Sequence, residues 1–115
     1  MANYRKLIVW QKADEVAFKI YKLTKTFPKS EMFGLTSQLR RASLSIPTNI
    51  VEGYNRKSKK ELNHFLNISL GSLAETEYLV DFSTRLGYLK AEDLQNINNL
   101  IEEVGKLLWS FQKSL

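Results

Sequence analysis

The chain has 115 residues and a mass of 13.3 kDa, so we expect residues 1–115 to form a single domain. It contains no cysteine, which excludes a disulfide scaffold and a thiolate metal site. Its two prolines and five glycines are too few for the many turns of a β-sandwich or barrel. The net charge is +5, but residues 1–60 carry 13 Lys/Arg and 4 Asp/Glu (+9), whereas residues 61–115 carry 4 and 8 (−4). This division favours either a surface that binds a polyanion or two opposite surfaces that attract copies of the same molecule.

The first apolar run, residues 7–10, is followed at once by Gln11 and Lys12. It is too short for the core of a signal peptide or for a membrane span. We therefore expect a cytoplasmic protein that does not enter a membrane.

Apolar residues recur with helical spacing in four segments, which predict helices over residues 4–27, 31–53, 58–86 and 90–113. The clearest pattern lies in the last segment, where the apolar positions alternate spacings of three and four residues: Leu94, Ile97, Ile101, Val104, Leu108, Phe111 and Leu115. Short connections favour antiparallel neighbours. The predicted fold is therefore all-α, an up-down-up-down four-helix bundle.

Residues that break or cap helices set the expected boundaries. Pro28 ends the first helix, and Ser30 is expected to cap the second. Ser58 and Glu61 have the spacing of a capping box, which predicts the start of the third helix.

Pro47 falls inside the second predicted helix, where it removes a backbone donor and predicts a kink. Ser43, Ser45 and Thr48 surround it, and their hydroxyls are candidates to bond the carbonyl that loses its partner.

A helical wheel places five polar residues of the second helix beside its apolar stripe: Gln38, Arg41, Ser45, Asn49 and Glu52. We call Gln38, Arg41, Asn49 and Glu52 the polar stripe and expect their partial burial, which requires that they be paired. In one interpretation Arg41 pairs with Glu52 or with a carboxylate of a neighbouring subunit. In the other, the polar stripe lines a ligand site.

Several apolar residues point away from the predicted core: Trp10, Phe18 and Tyr21 in the first helix, and Leu44 and Val51 in the second. They either cover neighbours within the bundle or form an oligomer interface.

Five segments, in order along nearly the whole chain, resemble one known family: Val9-Trp10-Gln11-Lys12-Ala13, Glu31-x-Phe33-Gly34-Leu35-Thr36-Ser37-Gln38-Leu39-Arg40-Arg41-Ala42, Ser45-Ile46-Pro47-x-Asn49-Ile50-x-Glu52-Gly53, Gly71-Ser72-Leu73-x-Glu75 and Leu86-Gly87-Tyr88-Leu89. The chain thereby resembles the 23S rRNA intervening-sequence proteins, although Val51 stands where that family usually has alanine. The resemblance implies a bacterial protein and an antiparallel four-helix bundle that assembles into barrel-shaped pentamers. The related accessory variability determinant of diversity-generating retroelements binds nucleic acid and a reverse transcriptase, but most members have no established activity.

Two groups of basic residues are candidates for phosphate contacts: Lys12, Lys19 and Lys22 on one face of the first helix, and Arg56, Lys57, Lys59 and Lys60 between the second and third helices. Flexible lysines are suited to phosphate contacts, because such a contact depends on positive charge and requires little fixed geometry. The alternative is an ordinary solvated surface.

His64, the only histidine, forms a Glu-x-x-His motif with Glu61. Carboxylate-bridged di-iron bundles need two such motifs and two further carboxylates. One copy predicts no metal site and no other cofactor, and we find no Ser-His-acid arrangement, P-loop or dinucleotide fingerprint.

The sequence therefore predicts a non-enzymatic oligomeric scaffold that associates with RNA or DNA through a basic surface. A purely protein-binding assembly factor is the alternative, followed by a metal-dependent enzyme that uses Glu61 and His64.

Overall fold

The computed structural model describes residues 3–115, which are all-helical and contain no strand. Its four long helices are α1 (Ile8–Leu23), α2 (Leu35–Tyr54), α3 (Lys59–Arg85) and α4 (Ala91–Lys113). Helices α1 and α3 each pack against both α2 and α4, which closes a four-helix bundle. The predicted fold class is confirmed, while the up-down-up-down order and the kink at Pro47 stay predictions. Among the described residues, no helix is both long enough and apolar enough to cross a membrane.

The apolar stripes predicted from helical spacing meet in one core. Ala13, Val16 and Ile20 of α1 are buried, and apolar residues of the other helices supply most of the remaining core: Leu35, Leu39, Ala42, Ile46, Ile50, Leu66, Leu73, Val80, Ile97, Ile101, Val104 and Leu108. Full burial of one such aliphatic side chain contributes about 1.5–3 kcal/mol. The periodicity of the sequence therefore identifies the residues that hold the bundle together.

The helix ends differ from the predictions at two places. Helix α1 is shorter than expected, because 3₁₀ turns occupy Tyr4–Lys6 and Thr24–Thr26. The expected cap at Ser30 is wrong, since Lys29–Glu31 is a 3₁₀ turn and α2 begins at Leu35. The backbone N–H of Leu35 donates to Glu31 Oε1 at 3.3 Å, so this carboxylate takes the place of a serine cap.

Helix α3 begins as predicted. The backbone N–H of Glu61 donates to Ser58 Oγ at 3.1 Å, which is the expected capping contact. At its other end Gly87 has φ +85°, a conformation that favours glycine and reverses the chain.

The hydroxyls around Pro47 do not bond the carbonyl that the proline leaves without a helical partner. Ser43 Oγ donates to the Arg40 carbonyl at 3.1 Å, and Thr48 Oγ1 donates to the Leu44 carbonyl at 2.8 Å. Each is a local bond to the preceding turn of the same helix.

Candidate functional site

The turn between α2 and α3 presents three lysines to solvent. Lys57, Lys59 and Lys60 are exposed, and none forms a salt bridge with another described residue. We call these three residues the basic turn. Arg56 differs, because its guanidinium lies 3.3 Å from Glu52 Oε2 and 4.8 Å from the ring centroid of Phe65. The structure therefore leaves three of the four predicted cations of this segment without an acidic partner.

The predicted basic face of α1 lies against acidic residues of α4. Lys12 Nζ is 3.7 Å from Glu103 Oε1, and Lys19 and Lys22 line a small cleft together with Asp93. Nearby carboxylates lower the local positive potential that would attract a phosphate. The two predicted basic groups therefore have different electrostatic surroundings.

A polar groove of about 650 Å³ runs between α2 and α3. Its lining consists of Phe33, Gly34, Ser37, Gln38, Arg41, Ala42, Ser45, Ser72 and Glu75. All nine positions belong to the segments on which the family resemblance rests. The volume falls within the range of about 300–1,000 Å³ that is typical of ligand sites.

Hydrogen bonds join the two walls of this groove. Gln38 Nε2 donates to Glu75 Oε2 at 3.4 Å, and Ser72 Oγ donates to Ser45 Oγ at 2.9 Å. Asn49 Nδ2 donates to the same Ser45 oxygen at 2.9 Å, so Asn49 supports the groove from within α2.

The expected ion pair between Arg41 and Glu52 does not form. Arg41 is exposed and has no hydrogen bond or salt bridge to another residue in 3–115, while Glu52 pairs with Arg56 one turn further along α2. Partial burial is also wrong for Gln38, Arg41 and Glu52, which are exposed. Gln38 and Arg41 line a groove that is open to solvent, and only Asn49 of the polar stripe is half-buried.

Arg40, unlike its neighbour Arg41, contacts other residues of the bundle. Arg40 Nε donates to Thr24 Oγ1 at 2.8 Å, and its guanidinium lies 4.9 Å from the ring centroid of Tyr21. Arg40 therefore fastens α2 to the end of α1, whereas Arg41 is available to an external group.

Three of the five predicted interface residues form one exposed apolar patch. Phe18, Tyr21 and Leu44 line a shallow cleft of about 260 Å³ between α1 and α2. We call these three residues the apolar patch. Trp10 and Val51 are half-buried, and Trp10 packs against the core and against Tyr4, with ring centroids 4.9 Å apart. The bundle itself therefore covers part of Trp10 and Val51.

The sequence did not indicate several members of the polar groove, among them Phe33 and Glu75. Phe33 was expected inside the second helix, but it precedes α2 and is 94% exposed. Glu75 belongs to a segment that carries the family resemblance, but its sequence position did not show that it faces Gln38 across the groove. Gly34, which follows Phe33, was the available signal for a turn at this position.

Glu61 and His64 are exposed at the beginning of α3. The His64 ring meets the Phe65 ring edge-on at 5.4 Å. Within residues 3–115 no group of three or more side chains is arranged to hold a metal ion.

Comparison with known proteins identifies relatives over nearly the whole chain. The model of the 23S rRNA-intervening sequence protein family matches residues 5–110. The fold is similar to the 1.70 Å crystal structure of a protein of unknown function from the S23 ribosomal protein family of Bacteroides thetaiotaomicron. That match has 34% identity and a TM-score of 0.85, and it covers 92% of this chain and 96% of the other. No curated protein matches the chain.

Proposed function

Because the chain belongs to the 23S rRNA-intervening sequence protein family, we propose that it is a non-enzymatic cytoplasmic scaffold that associates with nucleic acid through the basic turn. The observation that carries this proposal is the exposure of Lys57, Lys59 and Lys60 without acidic partners.

Unpaired lysines suit a phosphate backbone better than paired ones. Each ammonium that contacts a phosphate releases a condensed counterion, and this gain requires no fixed geometry. Lys12 would first have to give up its contact with Glu103, whereas the basic turn has no such competitor. We therefore place phosphate contacts at the basic turn, with the lysines of α1 contributing less.

The test is the salt dependence of binding to a duplex of mixed sequence. Replacement of Lys57, Lys59 and Lys60 by glutamine should reduce the log–log salt slope by about 0.9 for each phosphate that the variant no longer neutralises. The matched control replaces Lys25, Lys29 and Lys90, which are also exposed and carry the same total charge.

The control variant should retain the wild-type slope, because its three lysines lie in turns other than the basic turn. These turns contact each other, since the ring centroids of Phe27 and Tyr88 are 5.3 Å apart. Equal slopes in all three proteins would reject the basic turn as the contact surface. An equal reduction in both variants would show that net charge, and not this turn, determines binding.

We further propose that the scaffold is a homo-oligomer assembled through the apolar patch. Phe18 is 64% exposed and Leu44 is 47% exposed, and a contact with another copy would remove both from water. The opposite charges of residues 1–60 and 61–115 favour a head-to-tail contact, which closes into a ring rather than a two-fold dimer. A ring of five copies is the arrangement that the family resemblance implies.

Sedimentation equilibrium tests this assembly. Leu44→Glu should lower the mass to that of the monomer, because a carboxylate would have to be buried in the contact. Leu86→Glu is the matched control, since Leu86 is also 47% exposed but follows α3. A monomeric wild type, or an oligomer that dissociates with Leu86→Glu and not with Leu44→Glu, would contradict the proposal.

A further inference from the structure

The polar groove between α2 and α3 holds two opposite charges that do not pair with each other. Arg41 stands on the α2 wall without an acidic partner, and Glu75 stands on the α3 wall without a basic one among residues 3–115. Glu75 accepts a single side-chain hydrogen bond, from Gln38 at 3.4 Å. Both charged groups therefore retain most of their capacity to bind a ligand.

A serine hydroxyl lines the same groove. Ser45 Oγ accepts from Ser72 at 2.9 Å and from Asn49 at 2.9 Å. A serine hydroxyl can also donate its own proton, so Ser45 can act as a donor as well as an acceptor. Ser45 therefore adds a neutral polar group to the groove, and its contacts with Ser72 and Asn49 hold the oxygen in place.

An aromatic ring stands at the rim. Phe33 is 94% exposed and lies in the turn before α2, next to Gly34, so the bundle does not use its apolar surface. A planar or apolar group bound in the groove would cover the Phe33 ring, and removal of that ring from water would favour binding.

We propose that this groove binds a free α-amino acid with an aromatic side chain. The carboxylate would meet Arg41 and the Ser45 hydroxyl, the ammonium would meet Glu75, and the side chain would lie on Phe33. A phosphate fits less well, because Glu75 on the opposite wall repels a second negative charge. The proposal is independent of nucleic-acid binding, since it uses none of the residues of the basic turn.

Isothermal titration of the intact protein with L-phenylalanine tests the site. We expect one molecule bound per chain. 3-Phenylpropionate, which lacks the ammonium, and phenethylamine, which lacks the carboxylate, should each bind at least about tenfold more weakly, since each loses a hydrogen bond between charged groups. Inorganic phosphate should not compete.

Substitutions at the three positions separate the contributions. Arg41→Gln should weaken the binding of L-phenylalanine and leave the binding of phenethylamine unchanged. Glu75→Gln should weaken the binding of L-phenylalanine and leave the binding of 3-phenylpropionate unchanged. Phe33→Ala should abolish the preference for L-phenylalanine over L-alanine. These side chains are exposed, so each variant should retain the wild-type circular dichroism spectrum. Arg85→Gln and Glu77→Gln, which change exposed charges outside the groove, are the matched controls.

Three results would overturn the assignment. The first is an absence of L-phenylalanine binding at millimolar concentration. The second is equal binding of 3-phenylpropionate and L-phenylalanine, or competition by phosphate, which would identify a simple anion site. The third is binding that the groove variants leave unchanged or that the control variants weaken equally, which would place the ligand elsewhere.

Discussion

The α2–α3 interface and the α3–α4 interface join similar helices but differ in how closely the helices approach. A Cβ added at Gly53 of α2 would lie 2.9 Å from Phe65 Cβ and 3.2 Å from the Leu62 carbonyl oxygen of α3. A Cβ added at Gly105 of α4 would lie 3.5 Å from Leu73 Cδ2, an ordinary contact distance. A glycine is therefore required at the first interface and not at the second.

Open grooves run along both interfaces, and the one along the α3–α4 interface is larger than the polar groove of about 650 Å³. This larger groove has a volume of about 950 Å³, and Trp109 at its edge remains 58% exposed. Across the α2–α3 interface, by contrast, the buried Ser69 hydroxyl donates to the Ile46 carbonyl at 2.9 Å. The bundle therefore depends on α2 and α3 as a closely fitted pair, and substitutions at the two interfaces should differ in sign.

Gly53→Ala should have the largest effect. The added methyl meets backbone and a Cβ atom, neither of which can move without shifting a helix. We expect the free energy of unfolding to fall by about 1–3 kcal/mol, the usual cost of overpacking a filled interior. Urea denaturation monitored by circular dichroism measures it, and an unchanged midpoint would show that the two helices can separate freely.

Ser69→Ala should have a smaller effect, because it removes one buried hydrogen bond between helices. We expect a loss of about 1 kcal/mol relative to Ser83→Ala. Ser83 is the matched control, since it is equally buried in α3 but donates to the Leu79 carbonyl of its own helix at 2.7 Å. Equal losses in the two variants would mean that the bond to Ile46 does not hold α2 against α3.

Gly105→Ala should raise stability, by about 0.5–1 kcal/mol, because alanine favours a helix interior over glycine and has room here. Gly71→Ala should give a similar gain, since a Cβ there meets nothing within 4 Å. A loss of stability in Gly105→Ala alone would indicate that α3 and α4 pack as closely as α2 and α3.

Local features of the sequence predicted much of the fold. The core followed from helical spacing, and the contact between Ser58 and Glu61 followed from their separation of three residues. The cap at Ser30 failed because residues 29–31 form a 3₁₀ turn, so that α2 begins only at Leu35, where the Glu31 carboxylate accepts the backbone N–H. The path of this turn depends on tertiary packing, which local spacing does not specify.

The candidate sites were less predictable because their partners are distant in sequence. The wheel of the second helix indicated Arg41 correctly as an off-core residue but could not show that Ser72 and Glu75 form the opposite wall. It likewise could not show that Glu103, 91 positions after Lys12, reduces the positive charge of α1. The pair between Glu52 and Arg56, by contrast, was available from their spacing of four residues.

The smallest expected effect concerns a contact between turns rather than between helices. Tyr88 follows α3, and its hydroxyl donates to Glu31 Oε2 at 3.0 Å. This hydrogen bond is the main cause that raises the pKa of Tyr88 above 10.0, and burial and the negative charge of Glu31 add to it. The unfolded chain then releases the phenolic proton at lower pH than the folded one. The contribution of Tyr88 should be fully present below pH 10.0 and decline as the pH rises through the folded-state pKa. Urea midpoints of the wild type and of Tyr88→Phe, measured from pH 8 to 11, should therefore converge above about pH 10. A difference that stays constant with pH would show that the hydroxyl does not depend on the Glu31 carboxylate.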